Sequence, residues 1–191
     1  MIKFNLYEEG GLKVHFLKKN EKAEGEFNKF LEDKKFIGKL NEMIYLPILN
    51  DDSHIFIGLG EDEIGLEDIR NIFFKLGNIL RENKEHKVEI KMPELSLCNR
   101  KTLMASYEGL RQSEYEFTKK TDLEDKKEDF ELTVNYSAFN GPKEKLQEGL
   151  EKITNIMDGV FLARDLVNET ANVIYPESLA NITKEKLEKV G

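Results

Sequence analysis

Residues 54–60 read His54-Ile55-Phe56-Ile57-Gly58-Leu59-Gly60, and after Glu61-Asp62-Glu63 the apolar residues Leu66, Ile69, Ile72, Phe73, Leu76, Ile79 and Leu80 recur at spacings of three and four. A nearly continuous apolar run of that length suits a strand covered on both faces. The second pattern is the stripe of an amphipathic helix that packs on a sheet, and it stops near Asn83. Strand, glycine turn and helix in that order predict an α/β layer structure. Met43 to Ile48 is another apolar run, separated from the first by Asn50-Asp51-Asp52-Ser53. Ile2 to Tyr7 and Leu12 to Leu17 flank Glu8-Glu9-Gly10-Gly11 and read as strands joined by a tight turn. Glu26 to Leu31 makes a short helix, Lys87 to Met92 a strand, and Cys98 to Arg111 a helix with Leu103, Met104, Tyr107 and Leu110 on one face. Thr118 to Asp129 is mostly charged and reads as an exposed loop before a strand at Phe130 to Tyr136.

Beyond that strand the pattern changes. Pro142 follows Asn140-Gly141 as a first-turn proline would, and Leu146, Leu150, Ile153, Met157, Val160, Phe161 and Val167 mark a helix running to about Asn168. Such a helix spans roughly 40 Å at the usual rise per residue, more than one small domain needs, and suits a connector between two bodies. A further charged helix starts at Pro176 and is still running near Gly191. The expected division is an α/β domain over 1–140, a connecting helix and linker over 141–172, and the first helix of a second domain over 173–191, with the chain stopping short of that domain.

The 191 residues carry 29 Lys+Arg against 37 Asp+Glu, a net charge of −8, with 39% apolar residues. That apolar content fills a core and argues against a wholly disordered chain. The negative balance supplies no field for phosphate backbones or anionic lipid, so nucleic acid is not an expected partner. No run approaches the ~18 apolar residues of a membrane span. A single cysteine, Cys98, rules out an internal disulfide and fits a reducing, cytoplasmic compartment.

The Gly58-Leu59-Gly60 step lacks the third glycine of a dinucleotide fingerprint, because position 63 is Glu, and Glu61-Asp62-Glu63 would oppose phosphate. It reads as a structural strand-to-helix turn. His15, His54 and His86 have no metal-ligand spacing and read as strand-end or surface residues. Cys98 reads as a structural thiol at a helix start, and the acidic pairs Asp51-Asp52 and Glu124-Asp125 as solvated turns. No catalytic, cofactor-binding or metal-binding residue is assigned.

Leu162-Ala163-Arg164-Asp165-Leu166-Val167-Asn168-Glu169-Thr170-Ala171-Asn172, followed by Tyr175-Pro176-Glu177-Ser178-Leu179-Ala180, closely resembles the interdomain region of the leucyl aminopeptidases, a family of metallo-exopeptidases. Ile57-Gly58-Leu59-Gly60, Ala105-Ser106-Tyr107-Glu108-Gly109-Leu110 and Tyr115-Glu116-Phe117 are similar to that family's N-terminal half in order and spacing. Two positions depart from it: Thr170 stands where proline is usual, and Tyr175 where a small polar cap is. The resemblance implies a mixed sheet flanked by helices, like that of macro domains. It further implies a parent enzyme that removes N-terminal amino acids from peptides with two divalent metal ions, zinc or manganese, as a homohexamer. The family's metal ligands and its Asn-Thr-Asp-Ala-Glu-Gly-Arg signature are absent from these residues, so the expected role is structural, beside a catalytic domain of the same protein. The alternative expectation is a macro-like module that binds ADP-ribose in the crevice beyond the strand ends.

Overall fold

The computed structural model describes residues 1–6, 8–48, 52–117, 130–137 and 143–188. The charged segment 118–129, Tyr7, the first part of the 50–53 turn and the Pro142 helix start lie outside the described residues. The strands are β1 (Ile2–Leu6), β2 (Leu12–Leu17), β3 (Met43–Leu46), β4 (His54–Gly58), β5 (Lys87–Lys91) and β6 (Leu132–Ser137). They form one sheet in the order β1-β6-β5-β2-β4-β3, parallel throughout except where β3 lies antiparallel to β4. The helices are α1 (Phe27–Asp33), α2 (Leu66–Glu82), α3 (Asn99–Ser113), α4 (Lys143–Asn168) and α5 (Pro176–Glu188). This is the expected mixed α/β architecture, a six-stranded sheet flanked by helices.

Strand register separates the two faces of the sheet, since partnered residues point the same way. Phe4, Val134, Val88 and Leu12 share one face, as do Val14 and Ile55. On it α2 lays Ile69, Ile72, Phe73, Leu76 and Leu80, while α3 adds Leu103 and Leu110. The periodicity of α2 is thus spent on the sheet, as its sequence predicts. Leu17 and Phe56 point to the opposite face, where Leu31 of α1 and Phe36 cover them in a smaller apolar cluster. All five residues of β4 are buried, whereas β3 is half-buried at the sheet edge and is not covered on both faces.

The expected hairpin between the first two strands does not form. β1 and β2 point the same way with β6 and β5 between them. Their connection instead crosses the sheet's second face. Asn135, fully buried in β6, donates to the Glu9 and Gly10 carbonyls at 3.1 and 2.9 Å and accepts from Asn5 at 3.3 Å. Glu89 of β5 accepts the Gly10 N–H at 2.6 Å and pairs with Lys91 at 2.7 Å, which together hold its carboxyl below the usual range. At Gly11, φ is +101°, and a Cβ there would sit 2.6 Å from the Lys87 carbonyl oxygen. The inner side of this half-exposed connection lies against the sheet, and these side chains pair its backbone polar groups there.

α4 runs 26 residues, and its first half is anchored by Leu146, Leu150 and Met157. After Met157 the stripe comes into the open: Val160 is 40% and Val167 83% exposed. At the start of α5, Tyr175 cannot cap the helix with its own side chain, and Ser178 accepts the Tyr175 N–H at 2.9 Å instead.

Replacing Asn135 by Ala leaves the Glu9 and Gly10 carbonyls beneath the crossing without their donor. Urea unfolding should show a loss of about 1–3 kcal/mol, the net worth of the few hydrogen bonds removed, with faster hydrogen exchange at residues 8–11.

Candidate functional site

An open parallel sheet offers a ligand crevice where adjacent strands send their connections to opposite faces. Here that place lies between β2, which leads to α1, and β4, which leads to α2. The crevice is filled by the chain itself. Gly60 donates to the Gly38 carbonyl at 2.9 Å, Gly58 donates to Glu42 at 2.8 Å, and Lys19 donates to Gly60 at 2.9 Å. A Cβ on Gly58 would lie 2.1 Å from the Lys39 carbonyl oxygen. Position 58 therefore serves a backbone-on-backbone contact, where a dinucleotide site would use the same freedom to admit a pyrophosphate. Glu61 pairs with Lys19 at 2.7 Å on the rim, and Asp68 accepts the Gly65 N–H at 2.8 Å at the α2 start. A second hollow, lined by Met92, Asn99, Thr102 and Tyr136, encloses about 10 Å³, room for roughly one water. The ADP-ribose alternative is not supported by either place.

His54 sits at a strand end as expected but is buried, and His15 is half-buried in the middle of its strand rather than at an end or on the surface. His15 lies within β2 and His54 opens β4, and the pairing of these strands sets His15 Nε2 2.8 Å from His54 Nδ1. Their rings stack at 5.0 Å, with Phe56 against His15 and Phe27 of α1 against His54. His54 is 8% exposed. Burial lowers the His15 pKa below its ordinary value, His54 and Lys13 lower it further, and Glu24 opposes them. His86 stays exposed, bonded to the Glu131 carbonyl at 2.9 Å. Cys98 is exposed at the N-cap of α3 and so is not a core thiol. The backbone N–H groups of Lys101 and Arg100 lower its pKa. Among the described residues no three of His, Cys, Asp and Glu come together as a metal site.

The densest polar assembly joins α3 and its exit to α4. Tyr107 meets Thr154 at 2.8 Å, and Arg111 binds Glu114 and, at 2.7 Å, Asp158. Tyr115 donates to Asp165 at 3.1 Å and accepts from Asn168 at 3.0 Å. Arg164 stacks 3.8 Å over its ring, and Phe161 lies 5.4 Å away. Three polar residues of the quoted interdomain motif therefore face this domain. Val160, Ala163 and Val167 on the neighbouring side of the same turns line an open groove of about 470 Å³, and Arg164 and Asn168 reach its edge as well. Tyr115 stood among the residues that carry the resemblance, but its partners lie about 50 positions on, and no periodicity signals them.

The lowered His15 pKa predicts a stability that declines in acid. The folded state favours neutral His15, so its share of stability is complete above about pH 6.5, the unfolded value, and is lost as pH falls toward the lower folded one. Protection factors in residues 27–33, taken relative to the intrinsic exchange rate at each pH, should fall below that pH, and His15→Phe, which keeps the stacking, should flatten the dependence.

Residues 5–122 match the family model described as the cytosol aminopeptidase family, N-terminal domain. A probable cytosol aminopeptidase of Treponema denticola is 43% identical over 193 aligned residues, covering all of this chain and 40% of the relative. A tomato leucine aminopeptidase variant superposes with a TM-score of 0.81 at 15% identity, over 97% of this chain and 42% of that one. The bottromycin maturation enzyme BotP in complex with Mn gives 0.69 at 14% identity, over 91% and 35%. The chain thus spans about two fifths of its relatives' length. Sequence and fold agree: the chain belongs to the cytosol aminopeptidase family and carries that family's N-terminal domain.

Proposed function

We propose that the chain is the non-catalytic N-terminal portion of a leucyl aminopeptidase, with a structural and assembly role. The whole protein, on this proposal, removes N-terminal amino acids from peptides in the cytoplasm as a homohexamer. Residues 1–140 are its N-terminal domain, 141–172 the connecting helix and linker, and 173–191 the first helix of the catalytic domain.

The observation that carries the proposal is an apolar surface without cover. No residue of α5 is buried among those described, and Leu179, Leu187 and Tyr175 stand in water along with Val160 and Val167. Each large aliphatic side chain left out forgoes roughly 1.5–3 kcal/mol of burial. This surface begins where burial within the domain ends, and more than half of the Treponema denticola relative's length lies outside the match. The catalytic portion is the natural occupant. A structural neighbour is a complex with Mn, and the family resemblance implies two divalent ions, zinc or manganese. The described residues do not fit such a pair, for want of any three-ligand cluster, so the ions are assigned to the catalytic portion. The net charge of −8 argues against nucleic acid as a partner, and no described helix is long and apolar enough to cross a membrane.

The 191-residue chain should release nothing from leucine amides with Zn²⁺ or Mn²⁺ added, whereas the whole protein should be active. Chelator-sensitive turnover that co-purifies with the chain alone would overturn this division of labour. In a monomeric sample, residues 174–188 should exchange their amide hydrogens orders of magnitude faster than Ile55 to Ile57, because a short undocked helix is marginal in water. Equal protection would mean that α5 docks on its own domain and would remove the argument for a catalytic cover.

A further inference from the structure

Beyond Met157, the last fully buried residue of α4, eleven residues of helix project from the core, a lever of roughly 16 Å. Side chains of the domain that hold this lever include Arg111, through Asp158, and Tyr115, through Phe161, Arg164, Asp165 and Asn168. Those four positions follow the helical spacing i, i+3, i+4, i+7 and so form one face. Val160, Ala163 and Val167, on the open groove, lie about a third of a turn around the helix. Tyr115 uses everything it has: its hydroxyl both donates and accepts, and its ring takes a guanidinium and a phenyl group. Tilting a 16 Å lever by 10° moves its end by about 3 Å, so the residue gripping it controls where the following chain starts.

We propose that Tyr115 is a positioning residue: it fixes the tilt and rotation of the outer half of α4, and thereby the placing of the catalytic portion, which rests on the function proposed above. The interdomain motif then divides its work. Arg164, Asp165 and Asn168 grip the N-terminal domain through one tyrosine, while Val160, Ala163 and Val167 carry the apolar part of the groove to the catalytic portion, with Arg164 and Asn168 bordering both.

Spin labels on the exposed Cys98 and on Lys184→Cys report the lever directly in the 191-residue chain. The expected result is a narrow distance distribution, broadened about twofold or more by Tyr115→Ala and to an intermediate degree by Tyr115→Phe, which keeps the ring contacts and loses both hydrogen bonds. Tyr115→Phe should leave the melting temperature within a few degrees of the parent value, which separates positioning from general destabilisation. Unchanged distributions in both variants would overturn the proposal. In the whole protein, Tyr115→Ala should lower kcat/KM for leucine amides roughly tenfold, since small misplacements of reacting parts are costly, with bound metal unchanged and Tyr115→Phe partly restoring it. An active whole protein indifferent to Tyr115→Ala would overturn the positioning role and leave the aminopeptidase function standing. A metal-loaded whole protein without aminopeptidase activity would overturn the function, while the broadened distances in the shorter chain would still support the grip on α4.

Discussion

A parallel sheet has to be covered on both faces, and among the described residues up to 137 there is one pair of long helices to do it with. α2 and α3 take one face, where their apolar stripes close the main core over Ile55, Ile57, Val88 and Val134. The other face is left to short α1 over β2 and β4, and to a few residues of backbone over β5 and β6. That shortage explains the chemistry of the second face. A helix can meet apolar side chains, whereas a crossing strip of backbone needs donors and acceptors, which Asn135, Asn5 and Glu89 supply. The sheet is therefore oily beneath α1 and polar beneath the crossing.

The same economy closes the ligand crevice. The chain that leaves α1 returns through Gly38 and Lys39 across the ends of β2 and β4, and it packs so tightly that no side chain fits at position 58. In a nucleotide-binding α/β protein, glycines at a strand end admit phosphate. Here they admit the protein's own backbone, and three hydrogen bonds with Gly58 and Gly60 fasten it.

Polar contacts in the α3–α4 seam have consequences beyond their modest energies. Exposed ion pairs are each worth about 0–1 kcal/mol, so Arg111–Asp158 alone would hold the outer half of α4 weakly. Tyr115 adds stacking and two hydrogen bonds at one point, and directionality is what a lever needs. Full burial ends at Met157, and past it Phe161, Leu162, Asp165 and Leu166 are only half-buried, so a handful of side chains rather than a core orients this part of the helix.

The amino-acid sequence by itself determined the elements whose partners are close along the chain. The three-and-four spacing of Leu66 to Leu80, the apolar run at Ile55 to Ile57 and the alternation at Lys87 to Met92 are local patterns, and each became the helix or strand it predicted. Family membership was legible for a similar reason, since Arg164 to Asn168 is a contiguous motif. Tertiary structure alone decided the rest. Glu8-Glu9-Gly10-Gly11 suits a hairpin as well as a crossing, and only the insertion of β6, which pairs with β1 across some 130 residues, rules the hairpin out. The pairing of His15 with His54 depends on β2 lying beside β4, and the grip of Tyr115 on Arg164, Asp165 and Asn168 depends on α4 returning over α3. Local periodicity records which side of an element is apolar; which element that side meets is set by packing between residues far apart in the chain.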